Sequence, residues 1–190
     1  MQRVRALPVI AREADPFSQE EVNRILSALN SRSKQVASYF AFAFGSGLRT
    51  SELLALTWGD IDTASRRVFV NKALVRDRLK APKTSAGRRI VEFHEPALQL
   101  LDVDSHKTPD TRVFVDPRTG GPWKNDKAIR KLYWYPALRE TGVRRRNPYQ
   151  TRHTFASMRL MEGANPLYVA QQMGHKDWGM IRNVYGKYIS

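Results

Sequence analysis

The stretch that most constrains the fold is Val36-Ala-Ser-Tyr-Phe-Ala-Phe-Ala-Phe44, interrupted only by Ser38 and followed by Gly45-Ser-Gly47. A helix that crosses a bilayer needs about 20 apolar residues, so this run is too short to span one. A helix that is apolar on every side must be covered on every side. The pattern therefore predicts a core helix from about Lys34 to Phe44, ended by the glycines. At 190 residues the chain is long enough for one well-buried core and short for two, which predicts a single domain.

Around that helix the local signals are mixed. Ser18-Gln-Glu-Glu21 has the form of a capping box, and Val22, Ile25, Leu26 and Leu29 follow at helical spacing. The stretch Leu48–Leu56 predicts a short helix capped by Thr50 or Ser51, which puts Arg49 just before a helix N-terminus, where backbone N–H groups favour an anion. Short strands are expected at Trp58–Asp62 and Arg67–Val70. A second pair, Ala73–Val75 with Arg89–Phe93, would flank a basic hairpin tip containing Lys80, Lys83, Arg88 and Arg89. Beyond it the pattern predicts a helix over Glu95–Leu101, a strand at Val113–Val115, and a basic helix from Asp126 through Leu138, kinked or restarted at Pro136. Three further helices are expected: from Thr154 to Met161, from Asn165-Pro166 to Gly174, and a last one capped by Asp177 and carrying Tyr185. The fold class is α+β, mainly α-helical with a small antiparallel β-sheet.

Charge narrows the partner. Lys and Arg number 32 against 18 Asp and Glu, a net +14, and the sequence pI is about 10.4. Such a balance points to nucleic acid, although an anionic membrane would attract it too. The absence of cysteine excludes disulfides and thiolate metal sites. The opening Met-Gln-Arg-Val-Arg-Ala-Leu-Pro lacks the apolar core of a secretory signal, so a cytoplasmic protein is expected. The pairs Asp60/Asp62 and Asp102/Asp104 lack a third ligand nearby, so neither a metal nor another cofactor is expected.

Transfer of a phosphoryl group to a side chain needs a nucleophile, positive charge on the non-bridging oxygens and a proton donor for the leaving oxygen. Arg49 and Arg152 at helix starts would make a cationic clamp, because the guanidinium fork gives parallel hydrogen bonds and stays charged. A lysine on the basic hairpin would approach the leaving oxygen. A tyrosine, with an unperturbed pKa of about 10, is protonated at neutral pH and needs a neighbour to share its proton.

Together these stretches resemble the tyrosine recombinase (phage integrase) family. Gly47-Leu-Arg49-Thr-Ser-Glu52-Leu resembles its first arginine box, Lys83 in Lys80-Ala-Pro-Lys83-Thr its hairpin lysine, and Arg152-His-Thr-Phe-Ala its second arginine box. Met173-Gly-His175 with Tyr185 ten residues on is similar to the closing histidine and nucleophile. The resemblance implies a catalytic set of Arg49, Lys83, Tyr149, Arg152, His175 and Tyr185, with Glu52 supporting Arg49. It also implies a structural, buried role for His153. Tyr149 stands where the family usually has histidine, and as a poorer base it is expected to orient rather than deprotonate. Tyr188, three residues after Tyr185, is the competing nucleophile.

The resemblance further implies double-stranded DNA as partner, a 3′-phosphotyrosine intermediate, no requirement for metal or ATP, and a prophage or mobile element as setting. A homotetramer would form on DNA during synapsis from a protomer that is monomeric in solution. Residues 1–14 are then expected to be a linker or the remnant of a missing N-terminal core-binding domain, and 15–190 the catalytic domain. Two other functions fit the same charge: a nicking-closing enzyme of type IB topoisomerase kind, and a non-catalytic basic DNA-binding domain.

Overall fold

The computed structural model describes residues 14–81, 87–101, 108–175 and 179–188. Helix α1, Gln19–Arg32, starts on the expected capping box, with the Ser18 hydroxyl accepting from the Glu21 N–H and the Glu21 carboxylate from the Ser18 N–H at 2.9 Å. Helix α2, Lys34–Ser46, is the expected centre, and every residue from Val36 to Ser46 is buried. Its aromatic rings face different neighbours. Phe40 stacks on Trp134 at 4.5 Å between centroids, Phe42 meets Phe93 at 5.0 Å and Tyr39 meets Phe114 at 5.4 Å.

Gly47 ends α2 in the left-handed region at φ 63°, and a Cβ there would stand 2.4 Å from Cδ1 of Phe155. Gly47→Ala is therefore expected to lower the unfolding free energy by about 2–4 kcal/mol, through left-handed backbone cost and overpacking. Its urea unfolding midpoint measures this.

Helix α3, Thr50–Leu53, follows at once, with Arg49 rather than Thr50 or Ser51 at the N-cap. Only the end of the expected Trp58–Asp62 strand is extended: Trp58–Asp60 is a 3₁₀ turn, held by the Asp60 carboxylate accepting from the Thr57 N–H, and strand β1 is Ile61–Asp62. Strands β2 (Arg67–Val70), β3 (Ala73–Val75), β4 (Arg78–Lys80) and β5 (Arg89–Glu92) complete two antiparallel sheets, ordered β1-β2-β5 and β3-β4. The expected pairing of β3 with β5 is therefore corrected: β3 pairs with β4, and β5 lies on β2 with Val68 opposite Val91. The cause is the turn Arg76-Asp77, with φ of 51° and 60°. Two successive positive φ values make the tight connection that suits strand twist.

Helix α4 is Ala97–Leu100, and the expected strand at Val113–Val115 forms only isolated bridges, Thr57 with Arg112 and Val115 with Pro122. Helix α5 (Lys127–Ile129) runs through a π turn at Arg130–Trp134 into α6 (Tyr135–Glu140). Pro136 has no N–H to donate, and the helix restarts there, with the proline in the first turn of α6 after the widened turn. Helix α7, Gln150–Met161, begins four residues earlier than expected from Thr154. Helix α8, Pro166–Met173, starts where Asn165 Oδ1 accepts from the Leu167 N–H at 2.8 Å, and Gly174 ends it at φ 64°. Helix α9 is Gly179–Tyr185, continued by a 3₁₀ turn at Gly186–Tyr188. The Asp177 cap expected for α9 lies outside the described residues.

A second apolar cluster, with Phe155, Leu160, Val169, Met173 and Ile181, packs α7, α8 and α9 together. The chain entering α1 is tied to α7 by two hydrogen bonds of 2.9 Å, from the Asp15 N–H to Gln150 Oε1 and from the Phe17 N–H to Thr154 Oγ1. The chain just before α1 and the helices α8 and α9 thus converge on α7.

Candidate active site

The site is built on three turns: the turn between α2 and α3, the first turn of α7, and the left-handed exit of α8. Arg49 leaves the first. Its backbone N–H donates to Glu52 Oε2 at 2.8 Å, its Nη1 to Glu52 Oε1 at 2.8 Å, and its Nη2 to the Gly174 carbonyl at 3.3 Å. Glu52 also takes a fork from Arg89 on β5, Nη1 to Oε1 at 3.0 Å and Nη2 to Oε2 at 2.9 Å. Burial alone would raise the Glu52 carboxyl, but the Arg89 and Arg49 hydrogen bonds and charges outweigh it and hold its pKa at about 2. Four donors on one carboxylate fix both arginines.

Arg152 lies in the first turn of α7 with only 1% of its surface exposed. Nη1 donates to the Gly47 carbonyl at 2.6 Å, and Nη2 reaches the Met173 carbonyl and, at 3.1 Å, His175 Nε2. One guanidinium thereby joins the ends of α2 and α8. Burial, aided by the charge of Arg49, lowers its pKa to about 10, so it stays protonated at neutral pH. Its buried Nε has no hydrogen-bond partner among the described residues. Buried donors are rarely left unmade. Because arginine only donates, His175 Nε2 is the acceptor in their contact.

Tyr185 closes the arrangement from the end of α9. Its ring is 1% exposed, and its hydroxyl lies 2.7 Å from His153 Nδ1. Burial pushes the phenol pKa up. Burial and the Arg152 charge push the His153 imidazole down to about 4, so it is neutral at neutral pH. Tyr149, 47% exposed, turns its ring edge-on to His153 at 5.3 Å between centroids. It forms a wall common to two adjoining clefts, one of about 600 Å³ with Arg49, Arg76 and Lys124, the other of about 560 Å³ with Arg130, His153 and Met180.

Of the six expected catalytic residues, Arg49 and Tyr149 line these clefts, Arg152 contacts His175, and Tyr185 contacts His153, while Glu52 holds Arg49. Lys83, the sixth, lies outside the described residues, as do Asp102 and Asp104. Asp60 is engaged with Lys72 at 2.6 Å and Asp62 with the Ser65 hydroxyl at 2.7 Å. Among the described residues no three acidic or histidine side chains gather as a metal site would require.

Two residues take places that differ from the expectation. Arg89 was one of several hairpin cations, yet it lies two positions before buried Val91 on the same strand face. Strand alternation was the signal that it points inward. His153, expected to be structural, contacts the Tyr185 hydroxyl on another helix; i, i+4 spacing announces only its contact with the Tyr149 ring.

The sequence profile of the phage integrase family matches residues 16–188. The chain belongs to the phage integrase family. Among curated relatives, prophage integrase IntR of Escherichia coli strain K12 is 35% identical over 199 residues, which cover 92% of this chain and 48% of IntR. The transposase from transposon Tn916 of Enterococcus faecalis is 31% identical over 157 residues, 73% of this chain and 39% of that protein. The chain spans about half the length of the first curated relatives it matches. Two solved structures share the fold. The Tn1549 transposon integrase in complex with circular intermediate DNA superposes with a TM-score of 0.76 at 21% identity, covering 95% of this chain and 64% of that one. The catalytic domain of bacteriophage HP1 integrase gives 0.65 at 18% identity, covering 93% and 89%.

Proposed function

We propose that the chain is the catalytic domain of a site-specific DNA recombinase that cleaves and rejoins duplex DNA through a 3′-phosphotyrosine on Tyr185. The observation that carries this reading is the convergence of Arg49, Arg152, His175 and Tyr185 on one site, with an Arg152 N–H unpartnered among the described residues. Arg49 and Arg152 would neutralise the non-bridging oxygens, and His175, with the proton on Nε2 and released from Arg152, would donate to the same phosphate. As Oη of Tyr185 bonds to phosphorus, the bond to the 5′ oxygen breaks, and Lys83 would protonate that oxygen. The transferred bond energy stays in the phosphotyrosine, so ATP is not called for, and the arginines and Lys83 would supply the positive charge that a metal brings elsewhere.

A 5′ hydroxyl from a second duplex would then attack the phosphotyrosine, exchanging strands through a Holliday junction. Such exchange asks for four protomers on two duplexes, assembled from monomers on the DNA. The Tn1549 integrase was solved on DNA, which supports double-stranded DNA as partner here. No helix among the described residues is long and apolar enough to cross a membrane. We place the chain in the bacterial cytoplasm, with its DNA, as part of a prophage or other mobile element.

The test uses a pool of nicked duplexes of randomised sequence, in which cleavage near the nick releases a short strand and traps the adduct. The wild-type chain and Tyr188→Phe should leave detergent-resistant protein on labelled DNA, and Tyr185→Phe should leave none. Adduct from Tyr185→Phe would overturn the assignment, and no adduct from any chain would favour a non-catalytic DNA-binding domain. Relaxation of supercoiled plasmid without strand exchange would favour the nicking-closing alternative. DNA binding should also weaken with salt, roughly 100-fold between about 50 and 200 mM if about four phosphates are contacted.

A further inference from the structure

We infer that His153 is a further catalytic residue, taking the Tyr185 hydroxyl proton through Nδ1 as the phenolic oxygen bonds to phosphorus; this rests on Tyr185 being the nucleophile. The geometry is that of a base on its substrate: 2.7 Å between Nδ1 and Oη, within the range for direct proton transfer. The imidazole is held between two phenol rings, Tyr149 edge-on at 5.3 Å and Tyr185 tilted at 5.6 Å between centroids. That packing leaves little freedom to turn Nδ1 elsewhere. The other side chains of the site are unsuited to the task. His175 Nε2 already accepts from Arg152, arginine has no acceptor, and Tyr149 as a phenol is a weak base near neutral pH.

The electrostatics agree. The low imidazole pKa keeps His153 neutral, so that with the proton on Nε2 its Nδ1 lone pair faces the hydroxyl. The raised phenol pKa means that Tyr185 does not ionise unaided. Complete transfer before attack is uphill, so the proton moves together with formation of the O–P bond. The step balances: the Oη–H and P–O5′ bonds break, the Oη–P and Nδ1–H bonds form, and O5′ leaves with its electron pair and is protonated by Lys83. In rejoining, the His153 imidazolium returns the proton to Oη as the phosphotyrosine bond breaks.

His153→Asn tests this, because its side-chain oxygen replaces Nδ1 as an acceptor but takes up no proton. In single-turnover reactions on the nicked, randomised duplexes, adduct formation by His153→Asn should slow by about 100-fold or more. DNA affinity and the thermal midpoint should change little. His153→Ala should slow as much and recover part of its rate when imidazole is added. A wild-type rate for His153→Asn would reduce the contact to positioning, and a faster His153→Ala would make it a restraint on the nucleophile. Either overturns the inference while leaving Tyr185 as nucleophile, whereas adduct from Tyr185→Phe overturns both. Nitrogen-15 spectra of the wild-type chain test the geometry without DNA: the His153 proton should sit on Nε2, with the Nδ1 resonance shifting in Tyr185→Phe. A proton on Nδ1 would contradict it.

Discussion

Replacing Glu52 by glutamine is expected to lower the unfolding free energy by about 3–5 kcal/mol, as removing one member of a buried ion pair does. The side chains of Glu52 and Arg89 are 7% and 8% exposed, so the guanidinium left behind has little access to water. Glutamine keeps the shape but offers one acceptor oxygen in place of two, and no charge. The wild-type chain should show the same interaction as a pH dependence. The folded pKa of about 2 lies below the ordinary 4.5, so the stabilisation is complete above about pH 4.5 and is lost as pH falls through about 2. Its size is about 3 kcal/mol, and Glu52→Gln should lack that part of the acid profile. Denaturant titrations of both chains between pH 7 and pH 2 measure it. Equal stability at pH 7 would mean that the Glu52 cluster does not hold the arginines.

Arg152→Lys is the second large effect. A lysine ammonium has three donors on a flexible stem and cannot reproduce the planar bridge from the Gly47 carbonyl to the Met173 carbonyl and His175. Two carbonyls at helix ends lose a fixed partner, which should cost about 1–3 kcal/mol of stability. The phosphate would lose a fixed cationic donor just where charge develops on its oxygens, and adduct formation should slow by about 100- to 1,000-fold. Affinity for uncleaved DNA should fall far less, because the many other surface cations still meet the backbone. Single-turnover rates and fluorescence anisotropy, taken on the same nicked duplexes, separate the two. Equal losses in rate and affinity would make Arg152 a general DNA contact.

What the sequence made visible follows from how local each cause is. The core helix was legible because a run apolar on all sides has one solution, and the α1 and α8 starts because Ser18 and Asn165 act within three residues of themselves. The β3–β4 hairpin was not, because Arg76-Asp77 adopts two positive φ values without the glycine that usually announces them. The start of α7 was misplaced for a similar reason: Tyr149 makes no side-chain cap. In the site, each of Arg49, Arg152, His175 and Tyr185 was legible as a motif position. What Arg89 and His153 touch was not, since their partners stand 37 and 32 residues away in the chain. The charge also reads differently once placed, because Arg146, with its side chain 9% exposed, is held by Asp15 and Glu21 inside the fold.

The most direct test of the account is to find which side chain carries DNA. The wild-type chain would be reacted with the nicked duplexes, quenched in detergent, digested with nuclease and protease, and its peptides weighed. The peptide bearing Tyr185 should carry a nucleotide joined through its 3′ phosphate, with fragmentation placing the added mass on that residue. The same mass on Tyr188 or Tyr149 would contradict it.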